Sequence, residues 1–160
     1  MIVAAFAASV IAIAATGSLA AERKTITFAV IATEEMAVVA DRWQPTINYL
    51  SEKTGLKINF FASTSYAAAV EALLNDFADV AMLGPKIYIV ARKKSTKIER
   101  IVGTGRPANH YLKEPCACYH GRLISKKGSK FTTIKSLKGA VLALTDPGST
   151  SGNALPRALF

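Results

Sequence analysis

Three β-branched, apolar runs, each followed by a segment of helical spacing, limit what this chain can fold into. The first run is Thr25-Ile26-Thr27-Phe28-Ala29-Val30-Ile31, which alternates as a strand does. Met36, Val39, Ala40, Trp43, Ile47 and Leu50 then recur at three- and four-residue steps, the signature of one helix face. Gly55 is a C-terminal stop, and Pro45 inside the segment predicts a kink or two shorter helices. Residues 56–61 read as a second strand. Ser63-Thr64-Ser65 offers N-caps to a helix over 66–75, with Ala69, Val70, Leu73 and Leu74 on its apolar face. Residues 79–83 read as a third strand, broken by Gly84-Pro85. A helix follows over 86–92, with Pro85 suited to its first turn. Strand then helix, three times over, predicts an α/β fold with a parallel sheet and crossover helices.

The second half carries weaker signals. Residues 98–104 read as a further strand, and Gly105-Arg106-Pro107 marks a break where the chain leaves the first unit. Residues 119–125 and 140–144 are strand-like, 126–130 form a basic turn, and 133–137 a short helix. A Ser/Thr/Gly loop then leads into a helix that is cut off at Phe160. The expected division is therefore residues 21–105 as one α/β lobe and 106–160 as the start of a second, incomplete one.

Residues 1–20 read as a secretory signal. An alanine-rich apolar run over 2–15 precedes Gly17-Ser18-Leu19-Ala20, which offers small residues for cleavage after Ala20. The run is shorter than the roughly 20 apolar residues of a spanning helix. A periplasmic location follows as an expectation.

Charge is uneven. Residues 1–85 carry 5 basic and 8 acidic side chains, whereas residues 86–160 carry 15 and 3. Such asymmetry can mark a nucleic-acid surface. Interleaved aromatics and recognition motifs are missing, so a solvated lysine-rich face is the reading and no nucleic-acid partner is expected.

Four loops could carry chemistry. The strongest is Asp146-Pro147-Gly148-Ser149-Thr150-Ser151-Gly152-Asn153, between a strand-like run and a helix. Its backbone N–H groups and the hydroxyls of Ser149, Thr150 and Ser151 can converge on one tetrahedral oxyanion. Plain N-capping by Ser149 or Ser151 is an equal reading on pattern alone. The loop is not a Walker loop, since no Gly-Lys-Ser/Thr follows, and no cofactor is expected. A second loop is Ser63-Thr64-Ser65-Tyr66, where open α/β sheets bind ligands; Ser65 and Tyr66 are its candidates, against a cap and a core tyrosine. A third is Leu83-Gly84-Pro85-Lys86-Ile87-Tyr88, with Tyr88 one turn into a helix. A fourth is Thr33-Glu34-Glu35, where Glu34 could bind an amine or a protonated oxyanion acid, or simply favour a helix dipole.

His110, Cys116, Cys118 and His120 form a H-x5-C-x-C-x-H cluster whose thiolates and imidazoles suit zinc or copper. Incidental cysteines on the connection between lobes are the stronger reading, so no metal site is expected. A bridge between two cysteines one residue apart is disfavoured by disulfide geometry.

Taken in order, Asp41-Arg42-Trp43-Gln44-Pro45 with Leu50 and Gly55, Ser65-Tyr66-Ala67, Glu71-Ala72-Leu73, Ala78-Asp79-Val80-Ala81, Leu83-Gly84-Pro85, and Asp146-Pro147-Gly148-Ser149-Thr150-Ser151-Gly152 with Pro156-Arg157 resemble one family. It is that of the phosphate/phosphite/phosphonate solute-binding proteins of ABC transporters. The resemblance covers nearly all of residues 25–160. It implies a two-lobed, hinged periplasmic-binding fold of type II that closes on its ligand. It also implies ligand contacts from Tyr66, Tyr88, Ser149, Thr150 and Ser151, and a transporter permease as partner. The acidic side chains that the family adds from later in the second lobe have no counterpart in these 160 residues.

The expected function is a binding module for a phosphonate, phosphite or phosphate-like oxyanion, not an enzyme. There is no Gly-x-Ser-x-Gly elbow, and neither histidine has a sequence-local orienting carboxylate. The alternatives are a ligand-sensing domain of a membrane signalling protein, and a fragment without function of its own.

Overall fold

The computed structural model describes residues 24–160. The expected signal segment lies outside them. Strand β1 (Thr25–Ile31) leads into helix α1 (Met36–Thr54), β2 (Lys57–Ser63), α2 (Tyr66–Leu74), β3 (Val80–Met82) and α3 (Pro85–Lys94). Farther on come a 3-10 turn (Lys135–Leu137), a π turn (Thr150–Ala154) and the short helix α4 (Leu155–Leu159). The expected alternation of strands and helices over the first half is present.

The sheet has the order β2-β1-β3, all parallel. Register runs from Thr25 opposite Lys57 to Ile31 opposite Ser63, and from Phe28 opposite Val80 to Val30 opposite Met82. β1 is therefore central, with β2 on one side and β3 on the other. The chain changes direction across the sheet between β1 and β3, which opens a crevice beyond the strands' carboxyl ends. The loops before α2 and α3 both emerge at that edge. Asp79 fastens the start of β3: its Oδ2 accepts from the Thr27 N–H at 2.8 Å, and its own N–H donates to Thr27 O at 3.0 Å.

Two apolar clusters hold the unit. Ala29, Ala72 and Ala78 are buried together, with Phe61, Leu73 and Ala81 against them. Val70, Ile87 and Ala91 form the seam between α2 and α3, joined by Ile31, Tyr66 and Leu83. Ala69 and Val70 are both 1% exposed, as the expected apolar face of α2 requires. α1 buries Val39 and Ile47, and Trp43 meets Phe28 with ring centroids 5.5 Å apart. Met36, expected on that face, is instead 48% exposed. α1 is one helix through Pro45, not two. It ends at Gly55, whose φ of +70° is left-handed and whose N–H donates to Ser51 O at 2.9 Å.

The strands expected at 98–104, 119–125 and 140–144 are absent. The described residues beyond β3 contain only two isolated antiparallel bridges, Arg106 with Cys116 and Asn109 with Leu112. The physical reason is pairing: a strand exists only beside a neighbour, and none of these runs has one among the described residues. Their apolar side chains lie open, Ile101 at 81%, Ile124 at 92% and Val141 at 100% exposure. Residues 96–98 turn back instead, because Arg92 Nη1 donates to Thr96 O at 2.7 Å and Ile98 O at 2.6 Å.

Cys116 and Cys118 are bridged, contrary to the sequence expectation. Two residues of extended chain would span about 6.6 Å. Here the Cα atoms are 5.1 Å apart, inside the range a disulfide accepts. With both sulfurs joined, the cysteine–histidine metal cluster is not assembled. No group of three or more His, Cys, Asp or Glu among the described residues is placed to hold a metal.

Candidate functional site

Residues 145–153 close into a compact loop before anything else touches them. Thr145 N–H donates to Gly152 O at 3.0 Å, and the Asn153 amide donates to Thr145 O at 2.7 Å. Asp146 Oδ1 accepts from Gly148 N–H at 2.6 Å, and Asp146 O accepts from Ser149 N–H at 2.9 Å. Ser149 Oγ accepts from Gly152 N–H at 3.1 Å, so the capping reading of Ser149 holds for this hydroxyl oxygen. Ser149 O accepts from Ala154 N–H at 3.1 Å, five residues on, the wide turn that opens the helix here. Arg157 Nε donates to Asn153 Oδ1 at 3.1 Å. Ser149 and Asn153, at 6% and 4% exposure, are the loop's buried anchors.

The loop is then docked on the sheet unit at two helix starts. Lys86 N–H, in the first turn of α3, donates to Thr150 Oγ1 at 2.9 Å. Lys86 Nζ donates to Pro147 O at 2.6 Å. Gly148 lies directly on Tyr66, the first residue of α2: a Cβ built on Gly148 would sit 2.4 Å from Tyr66 Cβ. Gly152 is packed as closely on Thr145, where a Cβ would sit 2.2 Å from the hydroxyl oxygen. A glycine is needed at each place because no side chain fits.

The far side of the loop meets residues 119–121. Tyr119 OH and Ser151 Oγ are 2.9 Å apart and share a hydrogen bond. A Cβ on Gly121 would lie 3.6 Å from Ser151 O, so the backbone there runs alongside the loop. Four of the sequence candidates, Tyr66, Ser149, Thr150 and Ser151, are thus brought together.

The other three make no hydrogen bond to the loop. Ser65 caps α2, its hydroxyl accepting from Ala68 N–H at 3.1 Å. Tyr88 is half-buried and its N–H donates to Gly84 O at 3.0 Å. It lies two residues beyond Lys86 in α3 and has no hydrogen bond to the loop. Glu34 is taken up by Arg42 in a two-pronged pair at 2.8 and 2.9 Å. The Arg42 guanidinium pKa rises above its ordinary value, first through the Glu34 side-chain hydrogen bond and then through its charge. Both partners are exposed, so the pair contributes little. Glu34→Gln is expected to leave the midpoint of a urea unfolding titration unchanged, since an exposed pair is screened by water.

Two residues that sequence reading missed, Lys86 and Tyr119, join this cluster. Lys86 follows Gly84-Pro85 in a loop already singled out, so its position was a usable signal. Tyr119 lies 32 residues from Ser151, and nothing local points to their meeting. Chemically the site gathers hydroxyls and backbone donors beside one ammonium. Thr150 accepts from Lys86 N–H and keeps its own hydrogen to donate. In the Tyr119–Ser151 pair, one hydroxyl hydrogen is likewise left over. Such a set suits a small anion with several acceptor oxygens.

The model of a family described as the periplasmic phosphonate substrate-binding protein of ABC transporters matches residues 28–160. The phosphate-import protein PhnD of Mycolicibacterium smegmatis is 30% identical over 139 residues, covering 84% of this chain and 41% of that protein. The phosphonates-binding periplasmic protein of Escherichia coli is 25% identical over 142 residues, covering 84% and 39%. The crystal structure of a binding protein component of an ABC phosphonate transporter from Pseudomonas aeruginosa superposes with a TM-score of 0.64 at 23% identity. That match covers 84% of this chain and 44% of the other, and supports the fold. The chain therefore spans about two fifths of the length of the curated relatives it matches.

Proposed function

This chain belongs to the periplasmic substrate-binding family of phosphonate ABC transporters, and we propose that it serves as the solute-binding component of an importer for phosphonate-, phosphite- or phosphate-like oxyanions. The observation that carries the reading is the seating of loop 145–153 on the starts of α2 and α3 through Tyr66 and Lys86. It puts convergent donors at the sheet edge where open α/β folds bind. The ligand is held by Thr150, Ser151 and Tyr66, with Tyr119 and Lys86 beside them. Residues 21–105 are the first lobe in this reading and 106–160 the beginning of the second. Residues 1–20 direct export to the periplasm, a membrane permease receives the ligand, and the protein turns over no substrate.

A thermal melt of the chain without residues 1–20 tests this, with phosphate, phosphite, methylphosphonate and 2-aminoethylphosphonate added in turn. A ligand at a hundredfold excess over its Kd should stabilise the folded state by about 2.7 kcal/mol. Thr150→Val and Ser151→Ala should each weaken that ligand roughly tenfold or more, since each leaves an acceptor oxygen without its donor. A cooperative melt that none of the four ligands moves would refute the reading.

A further inference from the structure

Resting on that reading, we infer that the groove next to Ser151 is a subsite for a second anionic group, so that the preferred ligand is an oxyanion carrying an additional acid group. The groove, of about 300 Å³, is lined by Arg106, Asn109, Tyr111, Tyr119, His120 and Arg122. That volume is at the small end of ligand sites and takes a short substituent. It opens where the oxyanion loop ends: Tyr119 belongs to its wall and shares a hydrogen bond with Ser151.

Its charge has one sign. Two arginines and a histidine line it, and no carboxylate does. The Arg122 guanidinium stands 4.2 Å from the Tyr111 ring centroid, and that of Arg106 stands 5.1 Å from the Tyr119 ring centroid. Stacking on a ring occupies the face of a guanidinium and leaves the N–H fork along its edge to bind. Among the described residues neither guanidinium is hydrogen-bonded or ion-paired with a side chain, in contrast to Arg42 with Glu34 or Arg157 with Asn153. Two unspent forks facing one groove match a carboxylate or a second phosphoryl group in geometry as well as charge. An ammonium substituent there would face two guanidiniums and no carboxylate.

The test compares three phosphonates that differ in the substituent alone: methylphosphonate, phosphonoacetate and 2-aminoethylphosphonate, titrated calorimetrically into the chain without residues 1–20. Phosphonoacetate is expected to bind at least tenfold tighter than methylphosphonate, and 2-aminoethylphosphonate more weakly than either. Arg122→Gln should remove most of the phosphonoacetate advantage, and Arg122→Glu should turn the order towards 2-aminoethylphosphonate. Arg122 is exposed, so neither change disturbs a core. Binding of methylphosphonate with no preference for phosphonoacetate would overturn the subsite and leave the oxyanion site standing. Equal loss of all three ligands in Arg122→Gln would also overturn it, and no binding of any ligand by the unaltered chain would overturn both readings.

Discussion

Gly148→Ala is expected to weaken oxyanion affinity by at least tenfold and to lower unfolding stability by about 1–3 kcal/mol, the usual cost of forcing one extra carbon into a packed site. The added carbon would sit 2.4 Å from Tyr66 Cβ and 2.9 Å from its Cγ. Those atoms are the root of a ring held by the α2–α3 seam, so they cannot swing aside as a chain end would. The loop must move instead, and Lys86 then loses its reach to Thr150 and Pro147. Backbone strain plays no part, because the positive-φ glycines are Gly55, Gly128 and Gly139. Gly103→Ala is the matched control, with nothing within 4 Å of its new carbon. It should stay within about 0.5 kcal/mol of the parent. Calorimetric titration with the bound oxyanion and a urea unfolding curve read both effects. Unchanged affinity in Gly148→Ala would mean that the loop does not form the site.

Val70→Asp is expected to abolish cooperative unfolding at neutral pH. Val70 is 1% exposed and packed between Ile87 and Ala91, with Ile31, Leu74 and Leu83 around it. An unpaired carboxylate there has only hydrocarbon for company, at a cost of several kcal/mol. A domain has about 5–15 kcal/mol of stability in all, and a three-stranded sheet lies towards the low end. Val70→Ala, which removes two methyl groups and adds no charge, should cost only about 2–3 kcal/mol and keep a single transition. Circular dichroism during heating distinguishes the two. A sharp melt for Val70→Asp would show that the α2–α3 seam is not the core of the unit.

The first half of the molecule was legible because its rules are local. Alternation over 25–31, three- and four-residue spacing over 36–54, and the Gly-Pro break at 84–85 each act within a few residues. The boundaries shifted by only a residue or two, as with β2 at Lys57–Ser63 in place of 56–61. Pro45 predicts a kink or two shorter helices because its lost hydrogen bond is certain; the division into two does not occur, since Val39 and Ile47 on either side of it are both buried and keep one helix. The strand-like runs at 98–104, 119–125 and 140–144 failed for the opposite reason. Their composition suits a strand, but pairing is a property of two segments, and composition reports on one.

The site divides in the same way. The candidacy of Ser149, Thr150, Ser151 and Tyr66 is written in the chain, since small hydroxyls beside glycine ahead of a helix start can be read in a single pass. So is the α/β alternation that sets a parallel sheet and its binding edge. Only the tertiary structure decided which candidates meet. It put Gly148 on Tyr66 and Thr150 on the Lys86 N–H 64 residues away, and it brought in Tyr119. It also drew Glu34 aside to Arg42, and joined Cys116 to Cys118 across a contracted turn. The physical reason is the range of the forces: propensity and capping act within one or two turns of chain. Contacts between distant segments are set by which surfaces bury together, and that sum is taken only when the chain has folded.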